Sequence, residues 1–329
     1  MNILVTGGLG HIGSRLIRDL AADKDIGRIR IFDNLSTQRY ASLFNLPAGG
    51  AYEFMEGDVL KPEQLEPAMQ DIEVVVHLAA ITNAEGSFAI KDAVQQVNLG
   101  GTQRVLEAAR RAGVRQVIFP STTSVYGPHS EVVREDCGPE ELRPQSPYAE
   151  SKLQAEEAVL SAGRSGALHG CVFRFGTIFG PSPGMRFHTA VNRFVFQACL
   201  GQPLTVWEWA LQQQRPYLDL GDAVAAIHFA LRAPDRVANE LFNVVTLNAT
   251  VQQIIDAIRQ HVPDLTIRLT QTAILNQQSY VVDSAKFQSQ GFAYHGDLSR
   301  GLTDTIALLR GVLAGRGRAA TEPVAGPRR

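Results

Sequence analysis

Cysteine is scarce here: Cys137, Cys171 and Cys199 are the only three in 329 residues. They lie far apart and never as C-x-x-C, so neither metal binding nor redox use is expected. An excess of one charge is also missing. Lys plus Arg number 31 against 33 Asp plus Glu, a net charge of −2, and no long basic run occurs. That argues against a nucleic-acid partner. No apolar run approaches the roughly 18 residues of a membrane helix. The start, Met1-Asn2-Ile3-Leu4-Val5, enters a strand without the basic, apolar and cleavage segments of an export signal. A cytoplasmic protein with no membrane partner is expected.

What is present suits a globular protein. Apolar residues make up 45% and charged residues 19%, the balance of a packed domain. The length suggests about two domains, or one large domain with an appended lobe. Short apolar runs alternate with helical stretches in the first half. Strands are predicted at Ile3–Thr6, Arg28–Phe32, Tyr52–Glu56, Glu73–Leu78, Gln116–Pro120 and Gly170–Phe175. Helices are predicted at His11–Ala21, Pro62–Gln70, Ala89–Ala112 and Pro147–Ala162. This alternation predicts an α/β fold, a doubly wound parallel sheet of the Rossmann kind, with right-handed crossovers. Residues 1–175 would form that domain, with strands added from about 215–245. Residues 176–314 would form a smaller, interleaved substrate lobe, and 315–329 a disordered tail.

Thr6-Gly7-Gly8-Leu9-Gly10-His11-Ile12-Gly13 follows a strand and opens a helix. Glycine permits the tight turn at Gly7, close approach of a pyrophosphate at Gly10 and helix–strand packing at Gly13. The helix N-terminus then offers open N–H groups to phosphates. Asp33 ends the second strand, 33 − 13 = 20 residues after the last glycine. A carboxylate there accepts ribose hydroxyls and repels a 2′-phosphate, so NAD is favoured over NADP.

Tyr148 and Lys152 lie four apart within Ser146-Pro147-Tyr148-Ala149-Glu150-Ser151-Lys152, on one helix face. A free tyrosine, with a pKa of about 10, is a poor base; a neighbouring ammonium and the positive nicotinamide would both favour the phenolate. Tyr148 could then take a proton from a substrate hydroxyl. The hydroxyl cluster Ser121-Thr122-Thr123-Ser124 ends the fifth strand, where open α/β sheets bind their ligands.

Together these segments resemble the extended short-chain dehydrogenase/reductase family, and within it the sugar-nucleotide epimerases and dehydratases. The likeness also covers Gly57-Asp58-Val59, His77-Leu78-Ala79-Ala80, Val97-Asn98 and Val125-Tyr126-Gly127. It implies NAD held by Gly7, Gly10, His11, Ile12, Asp33, Asn34, Ser36, Thr37, Asp58, Val59, Leu78, Ala79, Ala80 and Asn98, with Tyr148 and Lys152. It makes Thr122, four residues before Tyr126, the catalytic hydroxyl beside Tyr148 and Lys152. It also implies a homodimer and a nucleotide-diphosphate sugar as substrate. Thr82, Ser124, Thr177, Arg186, His188 and Asn192 would meet that substrate, with Trp207 at the nucleobase and Arg215 on the diphosphate. His188 is alternatively a second acid/base.

The family's dehydratases carry an Asp-Glu pair after the catalytic Thr; Thr123 and Ser124 stand there and cannot serve as carboxylates. The resemblance therefore implies an NAD-dependent epimerase, acting by transient oxidation at carbon 4. Alternatives are a dehydratase, decarboxylase or reductase of the same family, a plain dehydrogenase, and a non-catalytic NAD-sensing regulator. Three departures mark the substrate side. Thr177 replaces a usual Asn, Trp207–Leu211 replaces a G-D-G loop, and Ala273 stands where a late Arg is usual, with Gln277 and Gln278 near.

Overall fold

The computed structural model describes residues 1–129, 132–271 and 279–316. Ala273, Gln277 and Gln278 fall outside these, as does 317–329. Seven parallel strands form the central sheet: β1 Asn2–Thr6, β2 Arg28–Asp33, β3 Tyr52–Glu56, β4 Val74–His77, β5 Gln116–Thr122, β6 His169–Phe175 and β7 Glu240–Val244. Their spatial order is β3-β2-β1-β4-β5-β6-β7, with every neighbouring pair parallel.

Alternate side chains feed two cores. Ile3, Val5, Val74, Val76 and Ile118 belong to one cluster, with Leu16 and Ile17 of α1 (His11–Leu20) and Val224 and Ile227 of helix Leu220–Arg232. Leu4, Val75, Val117 and Phe119 belong to the other, with Val105 and Ala109 of helix Gly101–Ala112 and Ala155 and Val159 of helix Pro147–Arg164. Helices thus cover both faces, which is why these strands read as unbroken apolar runs.

Three expectations need correction. The helix expected over 89–112 is segmented: a 3-10 turn Gly86–Ile90, an α-helix Lys91–Gln95, a π segment Gln96–Gly100 and an α-helix Gly101–Ala112. The π turn contains Asn98, whose amide bonds the backbone N and O of Ile81. Of the strands expected from 215–245, only β7 joins the central sheet. Gln214–Asp219 pairs instead with Thr177–Phe179 and Leu247–Thr250 in a separate three-stranded sheet. Finally, helix Leu298–Arg316 continues two residues past the expected start of the tail at Gly315.

The smaller lobe has its own core. Helices Ala190–Cys199 and Val251–Arg259 pack with Leu302 and Ile306 of the last helix. A parallel pair, Leu204–Trp207 with Ile267–Thr270, borders it. Among the described residues no helix is long and apolar enough to cross a membrane.

Candidate active site

Strand order reverses between β1 and β4, and crevices at such switch points bind ligands in open α/β sheets. A cleft of about 1050 Å³ opens there. Its floor is the glycine turn. Gly7 has φ +66° and a Cβ there would fall 2.6 Å from the Ala79 N, so no other residue fits. A Cβ on Gly13 would meet Gly8 O at 2.6 Å, which lets α1 lie against the turn. Gly10 caps α1 without a side-chain bond, leaving the helix N–H groups open to an anion. Asp33 accepts from Leu9 N at 3.1 Å and Leu35 N at 3.0 Å; a carboxylate has about four acceptor sites, so ribose hydroxyls can still be taken. Asn34, Ser36, Thr37, Asp58, Val59, Leu78, Ala79 and Ala80 line the same half, with His11 and Ile12. A cradle closed to any Cβ, next to a partly satisfied carboxylate, fits an adenine dinucleotide.

Asn98 is not in that wall. It is buried, and besides Ile81 it donates to Ser151 Oγ at 3.0 Å. It braces the loop after β4 against helix Pro147–Arg164.

The reactive groups come from β5 and helix Pro147–Arg164, which Ser146 caps by accepting from Ala149 N at 3.2 Å. Thr122 ends β5 with its hydroxyl towards the cleft that Tyr148 also lines, 3.1 Å from Ser124 Oγ. Neighbouring hydroxyls turn elsewhere. Ser121 donates to the buried carboxylate of Glu156, and Thr123 lies 3.4 Å from Tyr280 Oη. Burial pushes the Tyr148 phenol up to about 12, against pulls from the Thr122 hydroxyl and the charge of Arg186. Burial likewise pulls Lys152 down to about 7, opposed by Glu156. Its Nζ sits 3.8 Å from the centre of the Phe119 ring. The protein's own groups therefore leave Tyr148 protonated at neutral pH. The expected stabilisation by a neighbouring ammonium alone is insufficient, because the same burial that brings the pair together disfavours charge on both.

The opposite wall carries cations. Thr82, Ser124, Thr177, Arg186, His188, Trp207 and Arg215 all line the cleft. Arg186 donates to Thr82 Oγ1, and its guanidinium is held down to about 10 by burial and by Arg39. Arg215 lies 5.4 Å over the Tyr280 ring, and Trp207 stacks on Trp209 at 5.7 Å. Asn192 is a correction: it is buried away from the cleft and donates to the Arg186 carbonyl at 3.1 Å, since its position on helix Ala190–Cys199 faces the lobe core. The next residue, Arg193, lines the cleft instead. Arg193 and Tyr280 were missed in sequence. An arginine in an amphipathic helix reads as a solvated face, and Tyr280 lies beyond every recognisable motif.

The family model for the NAD dependent epimerase/dehydratase family matches residues 3–245. The uncharacterized UDP-glucose epimerase YtcB of Bacillus subtilis is 30% identical over 265 residues, spanning 78% of this chain and 81% of that protein. Two solved structures are similar throughout. The UDP-glucuronic acid 4-epimerase of Bacillus cereus, in complex with UDP-glucuronic acid and NAD, has a TM-score of 0.83 at 26% identity, covering 95% of this chain and 100% of that one. The UDP-glucose 4-epimerase of Thermus thermophilus, in complex with NAD, has a TM-score of 0.83 at 27% identity, covering 94% and 99%. With the glycine cradle, Asp33 and the Thr122–Tyr148–Lys152 group in one cleft, the chain belongs to the NAD-dependent epimerase/dehydratase family.

Proposed function

We propose that this protein inverts one carbon of a nucleotide-diphosphate sugar, carbon 4, by transient oxidation of its hydroxyl and re-reduction from the opposite face. The carrying observation is the set of groups that face the cleft at the end of β5. Among the described cleft-lining residues the carboxylates are Asp33, Asp58 and Glu85, and none belongs to the Thr122–Ser124 segment. Glu156, near Lys152, is already engaged by Ser121 and Arg174. A proton-transfer phenol is present, and an acid to expel a sugar hydroxyl is lacking there.

NAD bound in the glycine cradle would supply reversible hydride acceptance and a positive ring charge. That charge favours the phenolate of Tyr148, offsetting the burial that raises it. Tyr148 takes the proton of the sugar hydroxyl and returns it, Thr122 orients the reacting oxygen, and Lys152 holds its place between helix and Phe119. The cleft, at about 1050 Å³, lies at the upper end of the usual ~300–1000 Å³ for ligand pockets, and its lining runs from the glycine turn past Tyr148 to Trp207 and Arg215. Arg193 and Arg215 supply cations for the sugar's diphosphate, and Trp207 a ring for its base. The relatives' UDP-glucose and UDP-glucuronic acid support a UDP-sugar.

The test is incubation with UDP-glucose and UDP-glucuronic acid, read by NMR. A new 4-epimer with no net NADH is expected. Steady NADH accumulation overturns the epimerase reading. A homodimer is part of the proposal, built on the adjoining helices Lys91–Ala112 and Pro147–Arg164, where Gln95 bonds Gln154 at the exposed surface. Sedimentation at twice the chain mass is expected.

A further inference from the structure

The segment from Gly180 to His188, between strand Thr177–Phe179 and helix Ala190–Cys199, belongs by sequence to the smaller lobe. In space it is fastened to the glycine turn. His11 Nε2 donates to the Gly180 carbonyl at 2.8 Å. Ser182 Oγ donates to the His11 carbonyl at 2.8 Å and accepts from Ser14 Oγ at 3.1 Å. Gly184 N donates to Ser14 Oγ at 2.9 Å. Ser14 and Ser182 are buried, so water does not compete for these bonds. The backbones are in direct contact: a Cβ on Gly184 would fall 2.2 Å from the Leu9 carbonyl and 2.5 Å from that of Gly10.

Two residues further on, Arg186 donates to Thr82 Oγ1 in the loop after β4. The segment therefore runs from one lip of the switch-point crevice to the other. Arg186 lines the same cleft as Asp33 at the ribose end and Tyr148 at the reactive end. The glycine turn itself offers N–H groups and a neutral imidazole, because burial, Arg186 and Arg39 hold His11 down to about 4; of those two arginines only Arg186 lines the cleft. The other charged side chains lining that half are the carboxylates Asp33 and Asp58.

We propose that residues 180–188 form a strap closed over the dinucleotide site, that Arg186 is its contact to the cofactor's diphosphate, and that the strap sets the rate at which NAD leaves. This reassigns Arg186 from the sugar, as first expected, to the cofactor. It rests on the NAD-binding reading above. An enzyme that regenerates its cofactor each cycle has no need to release it, and a strap borrowed from the substrate lobe would keep it in place.

The test is NAD content and release. Wild-type protein is purified, its bound NAD measured after acid precipitation, and the release rate followed by dilution into an NAD-consuming trap. Arg186→Gln removes the charge, and Gly184→Ala forces the strap off the turn. Both should release NAD about tenfold faster or more with unchanged circular dichroism; for Arg186→Gln that is the change expected for one lost charge-assisted hydrogen bond. Release within twofold of wild type in both variants overturns the strap. So does an Arg186→Gln protein whose NAD release is unchanged while the KM for the nucleotide sugar rises, since that returns Arg186 to the substrate. Wild type that binds no NAD at all overturns the cofactor reading beneath the proposal.

Discussion

Tyr148 and Lys152 show how much of a site two residues can carry in sequence and what they leave out. Their shared helix face and their following of a hydroxyl cluster were legible from spacing. Their common burial, which drives one pKa up and the other down, was not, because it depends on Phe119 and the cleft walls. Tyr148→Phe removes the transferable proton without changing packing. Turnover should fall by about 10²–10⁴, the usual weight of a positioned acid/base, as measured by the NMR assay. Lys152 has a consequence for stability. Its folded pKa, about 7, lies below the ordinary 10.5, so the unfolded chain binds the extra proton between those values. Stability should therefore rise with pH across that window. Lys152→Met should lose this rise and be more stable than wild type at pH 7, while losing activity; urea midpoints at pH 7, 8 and 9 check both. Asn192 and Arg193 teach the complementary lesson. Adjacent positions on one helix exchange core for cleft, and a one-residue choice cannot be made before the helix is packed.

At the scale of the element, helix Pro147–Arg164 extends the reactive pair by one turn. Glu156 follows Lys152 at the same spacing and is buried with Arg174 of β6, their closest approach being 2.7 Å. Arg174 also lies 4.7 Å over the Tyr126 ring. The helix that aims Tyr148 is thus bolted to β5 through Ser121 and to β6 through Arg174. Nothing in the sequence marked this pair, since Glu and Arg eighteen residues apart read as ordinary surface charges. Glu156→Leu leaves a buried guanidinium unpaired and should cost about 3–5 kcal/mol. Adding Arg174→Met should recover most of it, as replacing both partners by apolar side chains commonly does. Chemical denaturation of the two single variants and the double variant measures the coupling. The segmented helix over 86–112 was unreadable for a related reason. Its π turn answers to Asn98 and the loop it holds, not to local propensity.

For the whole molecule, the doubly wound layout was plain from alternating runs as far as β6, because strands buried on both faces announce themselves. Beyond it the chain leaves the sheet, builds much of the lobe, and returns only at Glu240 to lay β7 against β6. A protein ending at Phe175 would keep the glycine turn and the proposed catalytic groups Thr122, Tyr148 and Lys152 yet should aggregate, with β6 as an apolar, unpaired edge; light scattering during refolding checks it. The same return sets a clock on biosynthesis. From Phe175 to Glu240 is 240 − 175 = 65 residues, roughly 3–13 s of translation at about 5–20 residues per second. For that interval the emerging chain holds a nearly complete nucleotide fold with one open seam, and whatever guards nascent chains has that long to cover it.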